Sequence, residues 1–364
     1  MMPQAHHTKL EATPGPRSIA AASHTHLLSW ALVVGLAALG LLFVIADAHK
    51  LWQTAATIDV RLLLIPFVCG LASYAVMALS YQGIARAAGA HVPFWEMLKI
   101  TFVANTVNYI VSTGGLSGFA VRMYFFIRMA IPSGTAVTIS LVQTFITNTV
   151  LLLFVVVGFW YLLTTHNLHG YALGMTATLL FFFMLAAAVA MVLLFHRALR
   201  RRTLFVMAEA THWFLHRFFP RRKPARVRIW RFQRNLNRSI DFLLVRQRNM
   251  VVPTLWIVLD WIITLLILYA AFRAVHYPIP VTYVVVGFAV GIILSLVSFV
   301  PGGLGVMEGS MAAIFASLSV PFETAVVAVL IFRVAYYVLP LIISVFFFRG
   351  MLLQGARAAP DVLE

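Results

Sequence analysis

Charge is what this 364-residue chain has least of. Only 10% of its residues are Asp, Glu, Lys or Arg, and just 11 are acidic; a soluble domain carries about 25% charged residues. It has a single cysteine, Cys69, which excludes an intrachain disulfide, and no CxxC or Cys/His cluster suggests a zinc site. No nucleotide-binding motif is present, so no cofactor and no metal are expected. With 62% hydrophobic residues and a mean hydropathy of +0.93, this poverty of charge excludes a soluble globular enzyme, a disordered regulator and an ordinary nucleic-acid-binding domain. Yet the net charge is +16, from 27 Lys and Arg. Where those charges sit is the informative question.

Residues 1–26 are small and polar, with Pro3, Pro14, Gly15 and Pro16, and read as a disordered tail; its histidines His6, His7, His24 and His26 read as solvated. An apolar run from Leu27 to Ala46 is long enough to cross a bilayer core of about 30 Å. No small-residue cleavage site follows it, so it reads as a retained span and not a removed signal peptide. Further apolar stretches occupy Leu62–Ala85, Leu98–Ser112, Val137–Leu163, Tyr171–Phe195, Val251–Phe272, Val281–Val300 and Ala325–Phe348. Two shorter ones, Phe119–Ala130 and Val306–Leu318, each follow a glycine pair, Gly114–Gly115 and Gly302–Gly303. Their length suits re-entrant or interfacial segments.

Between His196 and Met250 lie 15 Arg or Lys, opposed only by Glu209 and Asp241, so this segment holds +13 of the +16. By the positive-inside rule it is cytoplasmic. Within it Ile229, Phe232, Leu236, Ile240 and Leu243 recur at helical spacing, giving an amphipathic helix with an arginine face suited to anionic lipid. It is either such a lipid-surface contact or only a topology signal. A nucleic-acid role is not expected of a stripe anchored between spans.

The two short segments sit in matching surroundings. Ser112-Thr-Gly-Gly-Leu-Ser-Gly, Ile131-Pro132 and Thr135-Ala-Val in the first half answer Val300-Pro-Gly-Gly-Leu-Gly-Val, Val320-Pro321 and Thr324-Ala-Val in the second. The offset is 188 at the glycines and 189 at the prolines. Upstream, Arg86-Ala and His91-Val-Pro93 echo Arg273-Ala and His276-Tyr-Pro278. A repeat over about 62–163 and about 251–348 is therefore expected. With the basic segment fixed inside, the two halves acquire opposite topologies. The expected fold is an all-α polytopic membrane protein of about six full spans and two re-entrant helical hairpins. Its transmembrane domain covers 27–349, both termini are cytoplasmic, and 350–364 form a C-terminal tail.

Ionisable residues at membrane depth are costly and mark functional candidates. Four stand out: Arg122, Asp260, Glu308 and Arg333. A guanidinium matches a phosphate bidentately, so Arg122 and Arg333 are candidate headgroup ligands. Glu308 is a candidate partner for an arginine or a carrier of a coupling proton; the alternative is a locking Arg333–Glu308 pair with no ligand. Asp260 is either a second coupling candidate or a helix–helix polar contact. Gly302, Gly303 and Gly305 permit backbone that other residues resist, and the helix starting after them points its N–H groups at the cavity. Asn105, Asn108, Gln143, Thr147 and Asn148 line the cavity or bond helices together.

The run Pro301-Gly-Gly-Leu-Gly-Val-Met-Glu308, then Val320-Pro321, then Leu330-Ile-Phe-Arg333-Val-Ala-Tyr336-Tyr337 resembles the lysylphosphatidylglycerol synthase transmembrane-region family, a flippase-like domain. The resemblance covers about Leu28–Met351 and is strongest in the second half. In the first half Thr113 stands where proline is more usual and Ser117-Gly118-Phe119 where Gly-Glu is. The resemblance implies translocation of a lipid or lipid-linked headgroup, and it adds Tyr336 to the candidate set through the Arg-x-x-Tyr pattern. Lysyl transfer is not expected, because the chain stops about 16 residues after the last span and a soluble aminoacyl-transferring domain is not seen. Gly115-Leu-Ser117-Gly118 also matches the GxSG of rhomboid-type serine proteases, but no later span offers a histidine base.

The expected protein is thus a bacterial inner-membrane lipid translocase and not an enzyme. Its substrate is a membrane phospholipid held in a midplane cavity by Arg122, Arg333, Glu308, Tyr336, Asn108 and the glycine turn. The alternatives are a proton-coupled transporter of a small polar or anionic solute, and a scaffold for a lipid-modifying enzyme.

Overall fold

A computed structural model describes residues 46–111, 116–165, 247–298 and 300–357, with Gly40 and scattered residues between 181 and 241. The expected spans at 27–46 and 171–195, the Gly114–Gly115 pair, most of the basic segment and residues 1–26 lie outside the described residues. Within these the chain is helical and has no strand. In order come α1 (Ala48–Ala56), α2 (Val60–Ala87), α3 (Phe94–Ile110), α4 (Leu116–Arg128) and α5 (Ser133–Thr165). After the basic segment follow α6 (Val251–Ala274), α7 (Val281–Ser298), α8 (Val306–Ser317), α9 (Phe322–Arg333) and α10 (Leu339–Arg357).

Apolar runs set where these helices lie, and local capping sets where they begin and end. Asp47 caps α1, its carboxylate accepting the backbone N–H groups of His49 at 2.9 Å and Lys50 at 3.3 Å. Those two bonds, Lys50 first, hold the carboxyl below the usual carboxylate range. Asp59 caps α2 by accepting from the Arg61 N–H at 2.8 Å. Pro93 and Pro321 stand at the N-caps of α3 and α9, where a missing donor costs little.

Four helices end alike. Gly89, Ala130, His276 and Ser319 take φ of 81°, 58°, 56° and 66°. The next N–H in each case reaches back five residues: Ala90 to Ala85 at 2.8 Å, and Ile131 to Phe126, Tyr277 to Phe272 and Val320 to Phe315 at 3.0 Å. This is the long bond of a Schellman cap. The caps form two pairs, Gly89 with His276 and Ala130 with Ser319. Each pair is followed at equal distance by a proline, Pro93 with Pro280 and Pro132 with Pro321.

Among the described residues four stretches are long and apolar enough to cross a membrane: Val60–Ala87, Ser133–Gly158, Arg248–Ala274 and Phe322–Gly350, of 26 to 29 residues each. At 1.5 Å per residue this is roughly 40 Å, more than a hydrocarbon core needs. Helices α7 and α8 are shorter and apolar. The two central helices, α2 and α6, run antiparallel over their full lengths. The Asp59 N–H donates to the Ala274 carbonyl at 2.9 Å at one end. The Ser80 hydroxyl donates to the Pro253 carbonyl at 3.0 Å near the other, and the Ser73 hydroxyl donates to the Asp260 carboxylate between them. Lipid gives helices no hydrophobic reason to associate, so close approach of small residues must hold them. The buried face of α2 accordingly carries Gly70, Ser73, Ala78 and Ser80.

Among the described residues the apolar interior has two large clusters and a small third around Val155, Val286 and Ile293. The first gathers Ile267, Phe272, Phe315 and Phe332 from α6, α8 and α9. The second gathers Tyr74, Ile84, Met97 and Phe126 from α2, α3 and α4. The run read as one helix over Ala325–Phe348 is interrupted: Val334–Val338 forms a π-turn, closed by the Leu339 N–H on the Val334 carbonyl. Pro340 supplies the physical reason, since it has no N–H for the Tyr336 carbonyl and its ring would strike that carbonyl in a regular helix.

Candidate functional site

In the second half the site begins at a break. Pro301–Gly303 form one 3-10 turn, with Gly302, Gly303 and Gly305 at φ of 60°, 62° and 76°, the left-handed region that residues with a Cβ resist. At Gly303 a Cβ would also collide with the Ser295 side chain. Gly305 then stands at the N-cap of α8, which places Glu308 in its first turn. From the opposite side Arg333 arrives at the last position of α9.

The two charges meet directly. Arg333 Nε donates to Glu308 Oε1 at 2.6 Å, with side chains only 7% and 3% exposed. The guanidinium also lies over the Tyr337 ring at 4.4 Å, and Tyr337 Oη is 3.6 Å from Met307 Sδ. Yet the pair leaves Arg333 Nη2 and Glu308 Oε2 buried without a partner. Removing two charges from solvent is costly even when they pair, and each unmet polar atom adds about 1–3 kcal/mol. A locking contact alone would be expected to satisfy both atoms. What remains is a free donor and a free acceptor side by side.

Tyr336 lies beside this contact and not within it. Its ring stacks on Phe332 at 5.6 Å and reaches Tyr74 of α2 at 6.1 Å. The residue under the guanidinium is Tyr337, whose ring also meets Tyr109 of α3 at 4.6 Å. Asp260, in mid-α6 and 5% exposed, accepts from Ser73. Among the described residues no Lys or Arg stands within ion-pair distance of it.

In the first half Arg122 of α4 is 6% exposed. Its Nη1 lies 3.4 Å from Asn105 Oδ1, its guanidinium sits 5.1 Å from the centre of the Tyr81 ring, and its Nε has no partner. Among the described residues no carboxylate is within ion-pair distance. Asn108 lies a turn further on: its Oδ1 is 3.4 Å from the Ser117 hydroxyl, and its Cβ packs where Gly118 has none. Asn105 is therefore the amide at the arginine. The Ser117 hydroxyl donates to the Val111 carbonyl at 2.9 Å. Gln143 accepts from Ser80 at 2.9 Å, a helix–helix bond.

Tyr81, Tyr109 and Tyr337 escaped the sequence reading. Tyr337 had a legible signal, four residues after Arg333 on one helix face. Tyr81 and Tyr109 had none, because only tertiary packing brings them to their arginines. An open apolar groove of about 520 Å³ runs between α1 with the start of α2 on one side and α9 on the other. It is lined by Leu51, Trp52, Ile58, Phe67, Leu330 and Val334 among others. It ends at the residue following Arg333 and touches none of the charged groups.

Residues 28–344 match the family described as the lysylphosphatidylglycerol synthase TM region. Over 85 residues, 23% of this chain, it is 35% identical to a phosphatidylglycerol lysyltransferase of Staphylococcus haemolyticus, of which that segment is 10%. Over 84 residues, 23% of this chain, it is 31% identical to a UPF0104 membrane protein of Methanothermobacter thermautotrophicus, of which that segment is 24%. The matched segments thus span a quarter or less of either relative.

Proposed function

We propose that this chain, which belongs to the lysylphosphatidylglycerol synthase transmembrane-region family, is a membrane translocase that moves a phospholipid or lipid-linked headgroup between leaflets. One observation carries the reading: arginines buried within a membrane domain keep unmet hydrogen-bonding atoms, Arg333 beside Glu308 and Arg122 with no carboxylate at ion-pair distance among the described residues. Such groups are retained at membrane depth against their cost when a polar ligand completes them. A lipid phosphate does so, accepting from Arg333 Nη2 and from Arg122 Nε, while its tails occupy an apolar track such as the groove that α1 and the start of α2 form with α9. The glycine turn and α8 contribute N–H groups to the same anion. The movement needs no covalent step, and the chain is not an enzyme.

The architecture that serves this role is an inverted repeat. Helices α2 and α6 occupy corresponding places in the two halves and run antiparallel. For two like helices related by a two-fold axis, that requires the axis to lie in the membrane plane. The paired Schellman caps support the same correspondence, as do the cross-packings of α3 on α10 and α7 on α5. Helices α3–α4 and α7–α8 are then two re-entrant hairpins, one from each face, within about six full spans. The basic 196–250 segment lies on anionic lipid at the cytoplasmic face of a bacterial inner membrane, with both termini on that side.

A second reading, a proton-coupled transporter of a small polar or anionic solute, is favoured by Asp260, a buried carboxylate with a hydroxyl and no cation beside it. Reconstitution of the full chain into liposomes with fluorescently labelled phospholipids separates the two. The translocase reading predicts labelled lipid reaching the far leaflet faster than in protein-free liposomes, and clearly slower movement for Arg333→Ala and Glu308→Gln. Equal rates for all three proteins would remove the site, and no rate above protein-free liposomes would remove the activity.

A further inference from the structure

The two arginines are not electrically equivalent. Arg333 is neutralised by Glu308 at 2.6 Å. Arg122 is equally buried, yet its surroundings are an amide, an aromatic face and an unpartnered Nε. Asp260 does not balance it, since no ion pair joins them and the carboxylate is engaged by Ser73. The other face of α4 carries exposed Leu116, Tyr124 and Ile127, which points Arg122 into the bundle and not out to the lipid. A buried guanidinium with no carboxylate at ion-pair distance among the described residues is unfavourable, so Arg122 has room for an anion beside it.

We infer that Arg122 selects lipids whose headgroup is net negative: a phosphodiester bearing an uncharged polar alcohol, in preference to a zwitterion. The inference takes the translocase reading as its setting. A phosphate supplies that anion and accepts from Nε, and the Asn105 amide has hydrogen-bonding capacity for a headgroup hydroxyl. A zwitterionic headgroup brings an ammonium as well. That ammonium would repel Arg122, and among the described residues no carboxylate stands at ion-pair distance from Arg122 to receive it.

The test uses two probes on the full chain in detergent, short-chain phosphatidylglycerol and short-chain phosphatidylcholine, with affinities measured by native mass spectrometry or thermophoresis. Wild type is expected to bind phosphatidylglycerol about tenfold more tightly, the scale of one charge-assisted hydrogen bond. Arg122→Gln should bring the two affinities within about threefold of each other, and Arg122→Lys, which keeps the charge and loses the fork, should fall between. If Arg122→Gln does not fold, Arg122→Lys decides, since losing the fork while keeping the charge should narrow the wild-type preference. A wild-type preference below about threefold, or one unchanged in Arg122→Gln (in Arg122→Lys where that variant alone folds), overturns the inference. Selective binding with neither lipid moved in liposomes leaves this inference standing and removes the translocase reading. Movement of both lipids without a binding preference does the reverse.

Discussion

Replacing Glu308 with leucine leaves the Arg333 guanidinium in place, 7% exposed, with its only carboxylate gone. The aromatic face of Tyr337 remains, but a ring quadrupole recovers only about 0.5–2 kcal/mol. Breaking a buried pair from one side costs about 3–5 kcal/mol, because the surviving charge stays desolvated. Arg333→Met should cost a similar amount by stranding the carboxylate. The double variant Glu308→Leu/Arg333→Met buries no charge and should lie within about 1–2 kcal/mol of wild type or above it. The singles therefore do not add, and the cycle should return a coupling energy of at least about 3 kcal/mol. Thermal unfolding of the detergent-solubilised chain, followed by tryptophan fluorescence, would show the singles lowered by roughly 6–20 °C, on a scale of about 2–4 °C per kcal/mol. The double variant should be restored to within a few degrees. Singles that melt with wild type, or a double variant at the sum of their losses, would refute a desolvated and coupled pair.

Other outcomes follow from the same geometry. Gly303→Ala should be far more damaging than Gly302→Ala, although both have positive φ. The first drives a Cβ into Ser295, while the second meets only the Tyr109 carbonyl at 3.5 Å, leaving about 1–2 kcal/mol of backbone strain; comparative thermal unfolding ranks them. Tyr337→Phe should melt close to wild type, since the ring under Arg333 persists, and Tyr337→Leu should lose about 1–2 kcal/mol. The Asp47 carboxyl titrates lower folded than unfolded, so its capping contribution is complete above the unfolded value and lost as pH falls through the folded one. Amide protection of His49 and Lys50 should therefore hold at neutral pH, collapse once the pH falls below the ordinary carboxylate range, and be absent at every pH in Asp47→Ala; protection unchanged in strong acid would count against the cap.

How far the sequence was legible depended on the range of the forces involved. Helix positions followed from local hydropathy: the run read as Leu62–Ala85 forms α2 over Val60–Ala87, and Phe119–Ala130 forms α4 over Leu116–Arg128. Helix α1 went unread because nine residues of mixed polarity carry no apolar run, and its signal was the capping Asp47. The Arg333–Glu308 contact was anticipated because charge is so scarce that few partners exist at membrane depth. The aromatic surroundings were not, since Tyr81 reaches Arg122 from α2 and Tyr109 reaches Tyr337 from α3, and no local pattern encodes which turn faces which helix. For the same reason the sequence did not tell which of Asn105 and Asn108 lies beside Arg122; it is Asn105. The π-turn was hidden although its cause, Pro340, was in plain view, because a proline in a helix signals disturbance without saying which form it takes.

That π-turn has a mechanical consequence. A helix with one surplus residue in a single turn contains a dislocation. Relaxing that turn to regular helix would advance everything beyond it by one residue, about 100° and 1.5 Å. The last helix is therefore two rods meeting at a slip plane, and the plane begins at the residue after Arg333. Gly70 of α2 lies against the Ala335 carbonyl within it, so the central helix acts as the detent that holds the slip in one register. Arg333 is the last residue of the N-terminal rod, so a load applied to the arginine would arrive at the slip plane through α9 itself.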